Sequence, residues 1–341
     1  MKKLLLVIMC VCLVMLNGCG GSKNKPITIG VSAFPGWFVW YIAEGEGFFK
    51  KNNVDVKLVW FPVYSDSLQA FNSGKVDMLC IAMCDAIAPY EKGVGFKAVL
   101  VNDNSYGGDG LVAKDKYKAV EDLKGKTVAT EYGTVTHFFL RNCLERYGLT
   151  EKDVNLVNMT VQDAGPAVIA GAIDAASLWE PTLSLALAQE DNVLLFSTRQ
   201  ALGLIADLTV ASDKLLQTRR DDVKAAVNAF FDALEFYGSN PDKAISHMAK
   251  IAEVSDEEMK QVMSGAKLYS LEDNVNSMTV PKEHYTYLPF TAYENAKFLK
   301  DVNMINKTYS QEELRDNIID SSIVLEIAKV RKSVPAPDTS L

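Results

Sequence analysis

Short apolar runs alternate with amphipathic stretches along most of the chain. Ile27-Thr28-Ile29-Gly30-Val31 reads as a strand, and an aromatic helix through Trp40-Tyr41-Ile42-Ala43 follows a loop. Residues 54–60 alternate apolar and polar side chains, the period of a half-buried strand. Residues 65–72 are predicted as a helix stopping at Ser73-Gly74, 76–82 as a buried strand and 96–101 as another. A second cycle follows Leu123-Lys124-Gly125-Lys126: strand 127–130, helix 136–147 closed by Gly148, strand 155–158, helix 164–169, strand 175–178. Residues 186–190 and 193–196 complete a third unit, and strand 208–211 returns the chain to the first. Helical patterns then cover 214–237, 241–252, 256–268 and 311–331, and a Pro-containing tail spans 333–341.

Strand and helix in alternation predict α/β architecture with largely parallel sheets. Two similar cycles predict two lobes joined by crossings near 111–114 and 205–211, a clamshell with a cleft between. Such clefts, beyond the carboxyl ends of parallel strands, are favoured ligand sites.

Composition narrows the class. The chain has 341 residues, about two domains' worth, with 48% hydrophobic and 23% charged residues, so wholesale disorder is excluded. Its net charge of −8 argues against nucleic acid, which needs a basic face. The long uncharged apolar run, residues 4–16, is shorter than the ~20 residues a membrane span needs, which excludes a multi-span transporter. Behind Lys2 and Lys3 that run reads instead as the core of an export signal. Leu16-Asn17-Gly18-Cys19 resembles a bacterial lipobox, which implies cleavage before Cys19 and lipid on its thiol. Residues 1–18 are then the signal and 19–26 a flexible tether. Losing two lysines takes the net charge from −8 to −10. Of the cysteines left besides the anchor, Cys80, Cys84 and Cys143 make no disulfide framework, and core packing is their expected role.

Several motifs, in order, resemble the ABC-importer solute-binding proteins of the nitrate/sulfonate/taurine type, relatives of the thiamine-pyrimidine synthases. They are Phe48-Phe49-Lys50-Lys51 with Val54-Asp55-Val56, then Ala70-Phe71-Asn72-Ser73-Gly74-Lys75-Val76-Asp77, and Asp122-Leu123-Lys124-Gly125-Lys126-Thr127-Val128-Ala129. Gly133-Thr134 with Thr136-His137, Ala170-Gly171-Ala172-Ile173-Asp174-Ala175 and Trp179-Glu180-Pro181 complete the set, which runs from about residue 27 to 240. The resemblance implies a periplasmic-binding-type (type II) fold. The lobes expected are residues 27–111 and 208–300 for lobe I and 112–207 for lobe II, with 301–341 as C-terminal helix and tail. It also implies a small solute held in the cleft, delivered to a membrane permease powered by a separate ATPase, and no catalysis. No cofactor and no metal is expected, and the chain is expected to act as a lipid-anchored, extracytoplasmic monomer.

The turns predicted to line the cleft are 32–40, 62–67, 82–89, 103–110, 131–137, 162–166, 179–182 and 206–209, and none carries Arg or Lys. The candidate solute-binding residues in them are Trp37, Trp40, Tyr64, Asp85, Asp109, Glu131, Tyr132, Gly133, Thr134, Trp179, Glu180 and Asp207. Trp37 and Trp40 lie three apart on a helix, so one reaches the cleft while the other faces core; spacing leaves open which. Helix capping stands beside solute contact for Asp85, turn formation for Asp109, a structural role for Glu180 and a hinge role for Asp207. Asp66, Asp103 and Asp163 read as solvated or capping, and His137 as a structural histidine. Helix amides at Gly133-Thr134 would suit an anion. The carboxylates oppose a nitrate or sulfonate and suit an ammonium, a guanidinium or an amino-sulfonate such as taurine. Two further alternatives are a thiamine-pyrimidine precursor, stacked between rings, and a synthase-like enzyme using Cys80 and Cys84.

Overall fold

The computed structural model describes residues 25–339; the expected export signal, Cys19 and most of the expected tether lie outside the described residues. Strands β1 (Ile27–Val31), β2 (Val56–Trp60), β3 (Met78–Ala82) and β4 (Phe96–Ser105) begin one sheet. Strands β5 (Asp109–Lys114), β6 (Thr127–Thr130), β7 (Asn155–Asn158), β8 (Ala175–Trp179) and β9 (Asn192–Ser197) make the second, in the order β7-β6-β8-β5-β9. β10 (Ala206–Ser212) and β11 (Ala266–Leu268) return to the first, whose order is β11-β4-β10-β3-β1-β2.

Both sheets are mixed, not simply parallel. β1 pairs parallel with β2 and β3, and β6 with β7 and β8, because helices return the chain between them. β10 runs antiparallel to β3 and β4, and β5 to β8 and β9. These reversed strands are the first ones the chain lays down after crossing between sheets. The crossings lie at 106–108 and 198–205; the first precedes the expected 111–114 because Asp109 already belongs to β5. They are tied together: Thr198 Oγ1 accepts from the Gly107 amide at 2.7 Å and lies 2.8 Å from Ser105 Oγ.

The aromatic helix is Pro35–Gly45. Trp40 is fully buried in the core of the first lobe, against Phe49 and Phe230, and its Nε1 donates to Thr209 Oγ1 at 3.2 Å. Cys80, Cys84 and Cys143 are buried free thiols. Burial pushes all three up, Cys143 to about 12, which suits packing and not nucleophilic chemistry.

The carboxyl-terminal third departs from its predicted pattern. The expected helix over 256–268 stops at Met263, and 266–268 is the edge strand β11, whose alternating burial follows a Gly265 that breaks the helix. The expected helix over 311–331 is two, Gln311–Ile318 and Ser322–Ala328. Between them Ile319 bridges to Ala98, and the Asp320 carboxylate accepts from the Ser322 amide at 3.0 Å, starting the second helix afresh. Helices Leu271–Thr279 and Leu288–Asp301 were not predicted, although Ser270 and Asp273 form a capping box before the first. The second reaches across to the other lobe, where Arg141 Nη2 lies 3.1 Å from Asp301 Oδ2 and Phe298 packs on His137 and Phe138.

Candidate functional site

The carboxyl ends of β3, β4, β6 and β8 open toward the space between the sheets. Because β5 and β10 run the other way, their first residues fall at that same edge. This brings together residues far apart in sequence. Asp207 sits between Ala82 of β3 and Asp103 of β4 in the strand register, and Asp109 lies opposite Trp179 of β8. Residues opposite each other in antiparallel strands present side chains on one face, so Asp103 and Asp207 meet.

Phe34, Trp37, Tyr64, Ala82, Asp109, Val135, Trp179, Ile205 and Asp207 enclose a void of about 10 Å³, room for roughly one water molecule. Its walls are rings. Trp37 stacks on Tyr64 at 5.5 Å and tilts against Phe34 at 5.4 Å, and Tyr64 meets Trp179 of the other lobe edge-on at 5.6 Å. The Tyr64 hydroxyl accepts from the Ala82 amide at 3.0 Å and donates to Asp85 Oδ2 at 2.9 Å. Asp85 Oδ1 accepts from the Val135 amide at 3.1 Å, a hydrogen bond from one lobe to the other. A solute larger than water therefore needs the Tyr64–Trp179 and Asp85–Val135 contacts to part.

The electrostatics are one-signed. Asp85, Asp103, Asp109, Glu180 and Asp207 are each at most 7% exposed, and no ion pair joins any of them to Lys or Arg among the described residues. Burial pushes Asp85 and Asp109 up to about 7, against relief from Tyr64 and the Val135 amide in the first and from Ser105 in the second. Burial likewise lifts Glu180 to about 7, although Ser184 donates to it through both hydroxyl (2.7 Å) and amide (3.2 Å). Asp103 and Asp207 rise well above the usual carboxylate range, through burial first and then, for Asp207, the charges of Asp103 and Asp109. Neither Asp103 oxygen, nor Oδ2 of Asp109 or of Asp207, has a hydrogen-bond partner, and neither has the Trp37 indole N–H. The Asp103 carboxylate fills the space beside Gly36, where a Cβ would lie 1.8 Å from Oδ2, so a side chain at 36 would displace it. Among the described residues no group of three or more His, Cys, Asp or Glu side chains is arranged to hold a metal ion.

The sequence-predicted residues divide. Trp37, Tyr64, Asp109, Trp179 and Asp207 line the void, and Asp85 braces Tyr64. Glu131 is half-buried nearby, raised mainly by burial. Glu180 lies beside Asp109 but turns its oxygens onto Ser184. Trp40 does not join the site. Tyr132 is 43% exposed and stacks on His137, 5.4 Å away, outside the void. Gly133 and Thr134 offer no open anion nest: the Gly133 amide donates to His137 Nδ1 at 3.1 Å, the Thr134 hydroxyl to the Glu131 carbonyl at 2.7 Å, and the next amide, Val135, to Asp85. His137 is structural, its Nε2 2.7 Å from Glu151 Oε1, with burial lowering its basicity. Asp163 caps with Thr160, and Asp66 is exposed.

Asp103 is the residue sequence reasoning missed. The sequence reads it as solvated or capping, yet β4 runs through Asn102-Asp103-Asn104-Ser105 and all four are buried. Phe34, Ala82, Val135 and Ile205 carried no chemical signal.

A family model described as NMT1/THI5 like matches residues 35–244 of this chain. The chain is 25% identical over 285 residues to a putative aliphatic sulfonates-binding protein of Bacillus subtilis, covering 78% of this chain and 83% of that one. It is 25% identical over 286 residues to the taurine-binding periplasmic protein of Escherichia coli, covering 79% and 86%. Among solved structures, the periplasmic aliphatic sulphonate binding protein SsuA from Escherichia coli aligns with a TM-score of 0.72 at 19% identity, covering 88% of this chain and 93% of that one.

Proposed function

The chain belongs to the NMT1/THI5-like family, and on that premise we propose that it is the extracytoplasmic solute-binding component of an ABC importer whose solute carries a positively charged nitrogen. The relatives named for sulfonates and taurine support the importer role. One observation carries the choice of solute: Asp109 and Asp207 line a ring-walled void with Asp103 buried beside Asp207, and among the described residues no cationic side chain pairs with any of the three. A buried carboxylate without a partner is costly, and an entering cation supplies the partner. A plain anion would meet these carboxylates, while the amides it would need are already engaged by Asp85 and His137. Ring faces add roughly 0.5–2 kcal/mol per cation contact, toward the roughly −8 kcal/mol of a micromolar complex.

In this reading the chain traps its solute by lobe closure, hands it to a permease driven by an ATPase subunit, and performs no catalysis. Lipid on Cys19 holds it, as a monomer, at the outer face of the membrane. Calorimetric titration of the mature protein with taurine, nitrate, amines and guanidinium compounds tests the choice. Micromolar binding is expected for a nitrogen cation or a zwitterion, weakened at least tenfold by Asp109→Asn or Asp207→Asn. Tight binding of nitrate with none of the cations would end it.

A further inference from the structure

We propose that the solute's charge is carried on N–H bonds, as in a primary ammonium, amidinium or guanidinium group, and that this group expels the proton shared by Asp103 and Asp207 when it binds. The inference rests on the cation-binding reading above and narrows it to one chemical class.

A cation can be recognised in two ways: by ring faces alone, as for methylated ammonium groups, or by carboxylates that accept N–H bonds. The rings here are largely turned on one another. Trp37 is covered by Tyr64 on one side and flanked by Phe34, and Tyr64 in turn meets Trp179. The Tyr64 hydroxyl is fully engaged with Ala82 and Asp85. Among the residues lining the void, with Asp103 beside them, four carboxylate oxygens lack a partner, two on Asp103 and one each on Asp109 and Asp207, against the Trp37 indole N–H. Buried acceptors left bare call for donors, and a methylated nitrogen has none to give. Asp109 and Asp207 line the void and would accept directly. Asp103 stands behind Asp207, seated in the space that Gly36 leaves, and acts as a positioning residue.

The proton follows from the same geometry. Asp103 and Asp207 stand opposite each other in the strand register and are buried, so they cannot both be ionised and the pair holds one proton. The ionisable groups facing Asp207 are Asp103, Asp109, Asp85, Tyr64 and Cys80, and Tyr269 faces Asp103. None of them is a base that brings positive charge. When a cation docks, the shared proton leaves to the buffer, the pair ionises and the charge of the site is conserved.

The test is calorimetry at pH 7.5 in phosphate and in Tris, with methylguanidine, benzamidine and putrescine set against tetramethylammonium and choline. An N–H probe is expected to bind at least tenfold more tightly than either methylated one. Its heat is expected to differ between buffers by the ionisation heat of about one proton released, and Asp103→Asn is expected to diminish that difference as well as to weaken binding. Tetramethylammonium binding as well as the N–H probes, heats independent of buffer, or no binding by any N–H probe each overturn the inference. The first two leave the cation reading intact, whereas binding of nitrate alone removes both.

Discussion

Asp207 is a buried aspartate and Asp232 a partly buried one, and the protein treats them in opposite ways. Asp232 accepts from Arg331 Nη1 and Asn52 Nδ2, each at 2.9 Å, with Lys51 Nζ at 3.4 Å. Close by, Glu326 is held by Arg220 at 2.9 Å and Lys224 at 3.0 Å, and these hydrogen bonds draw it down to about 2. Asp207 has carboxylates for neighbours. Asp232 and Glu326 each draw on two of the chain's lysines and arginines. The fold can pair its carboxylates, and the group it leaves bare at the meeting of two lobes is the one that the proposed cationic solute would pair.

The two kinds of acid predict opposite pH responses. Asp85, Asp109 and Glu180 sit near 7 when folded and near 4 when unfolded. Their folded values are raised, so they favour the folded state fully below pH 4, and that support is lost as pH rises through 7. At about 1.4 kcal/mol per tenfold change, each withdraws on the order of 3–4 kcal/mol, and coupling keeps the total below their sum. Glu326 is lowered, so its contribution is present above pH 4.5 and lost toward pH 2. Urea unfolding of the mature protein is therefore expected to show falling stability from pH 5 to 8, restored in part by a bound cation. A midpoint that stays level over that range breaks the contrast.

A smaller effect separates the two tryptophans of one helix. Trp40 fills the core between Phe49 and Phe230, so Trp40→Ala is expected to cost about 3 kcal/mol of stability. Protein that still folds should keep its solute affinity. Trp37→Ala removes a wall of the void and should weaken binding at least tenfold while costing less stability. Thermal denaturation beside titration reads both, and equal losses of affinity would erase the distinction.

What the sequence made legible follows from what local pattern encodes. Most strands and helices through residue 252 were readable because each carries its own period, but β5, read as a crossing near 111–114, was not. The late helices and β11 were not, since they depend on long-range contacts such as Ile319 with Ala98. Acid-rich, base-poor turns were visible as composition. Which acids converge was not, because Asp207 reaches Asp103 and Asp109 only once β10 and β5 enter their sheets reversed. Asp103 looked like a loop residue since burial of a polar run is a tertiary fact, decided by the strands on either side.

The finest test is the same substitution made at two places. Asp232→Asn keeps shape but removes the charge that Arg331 and Lys51 contact, so about 1–2 kcal/mol of stability should be lost at both pH 5 and pH 8. Asp109→Asn removes a charge that burial opposes. Above pH 7, where Asp109 is ionised, the variant should be more stable than the parent. At pH 5 the parent carboxyl is already protonated, so the gain should vanish. Chemical denaturation of both variants at the two pH values gives four numbers, and their signs carry the argument. A loss for Asp109→Asn at pH 8 would mean its charge is already satisfied within the protein, and the case for a cationic solute would lose one of its carboxylates.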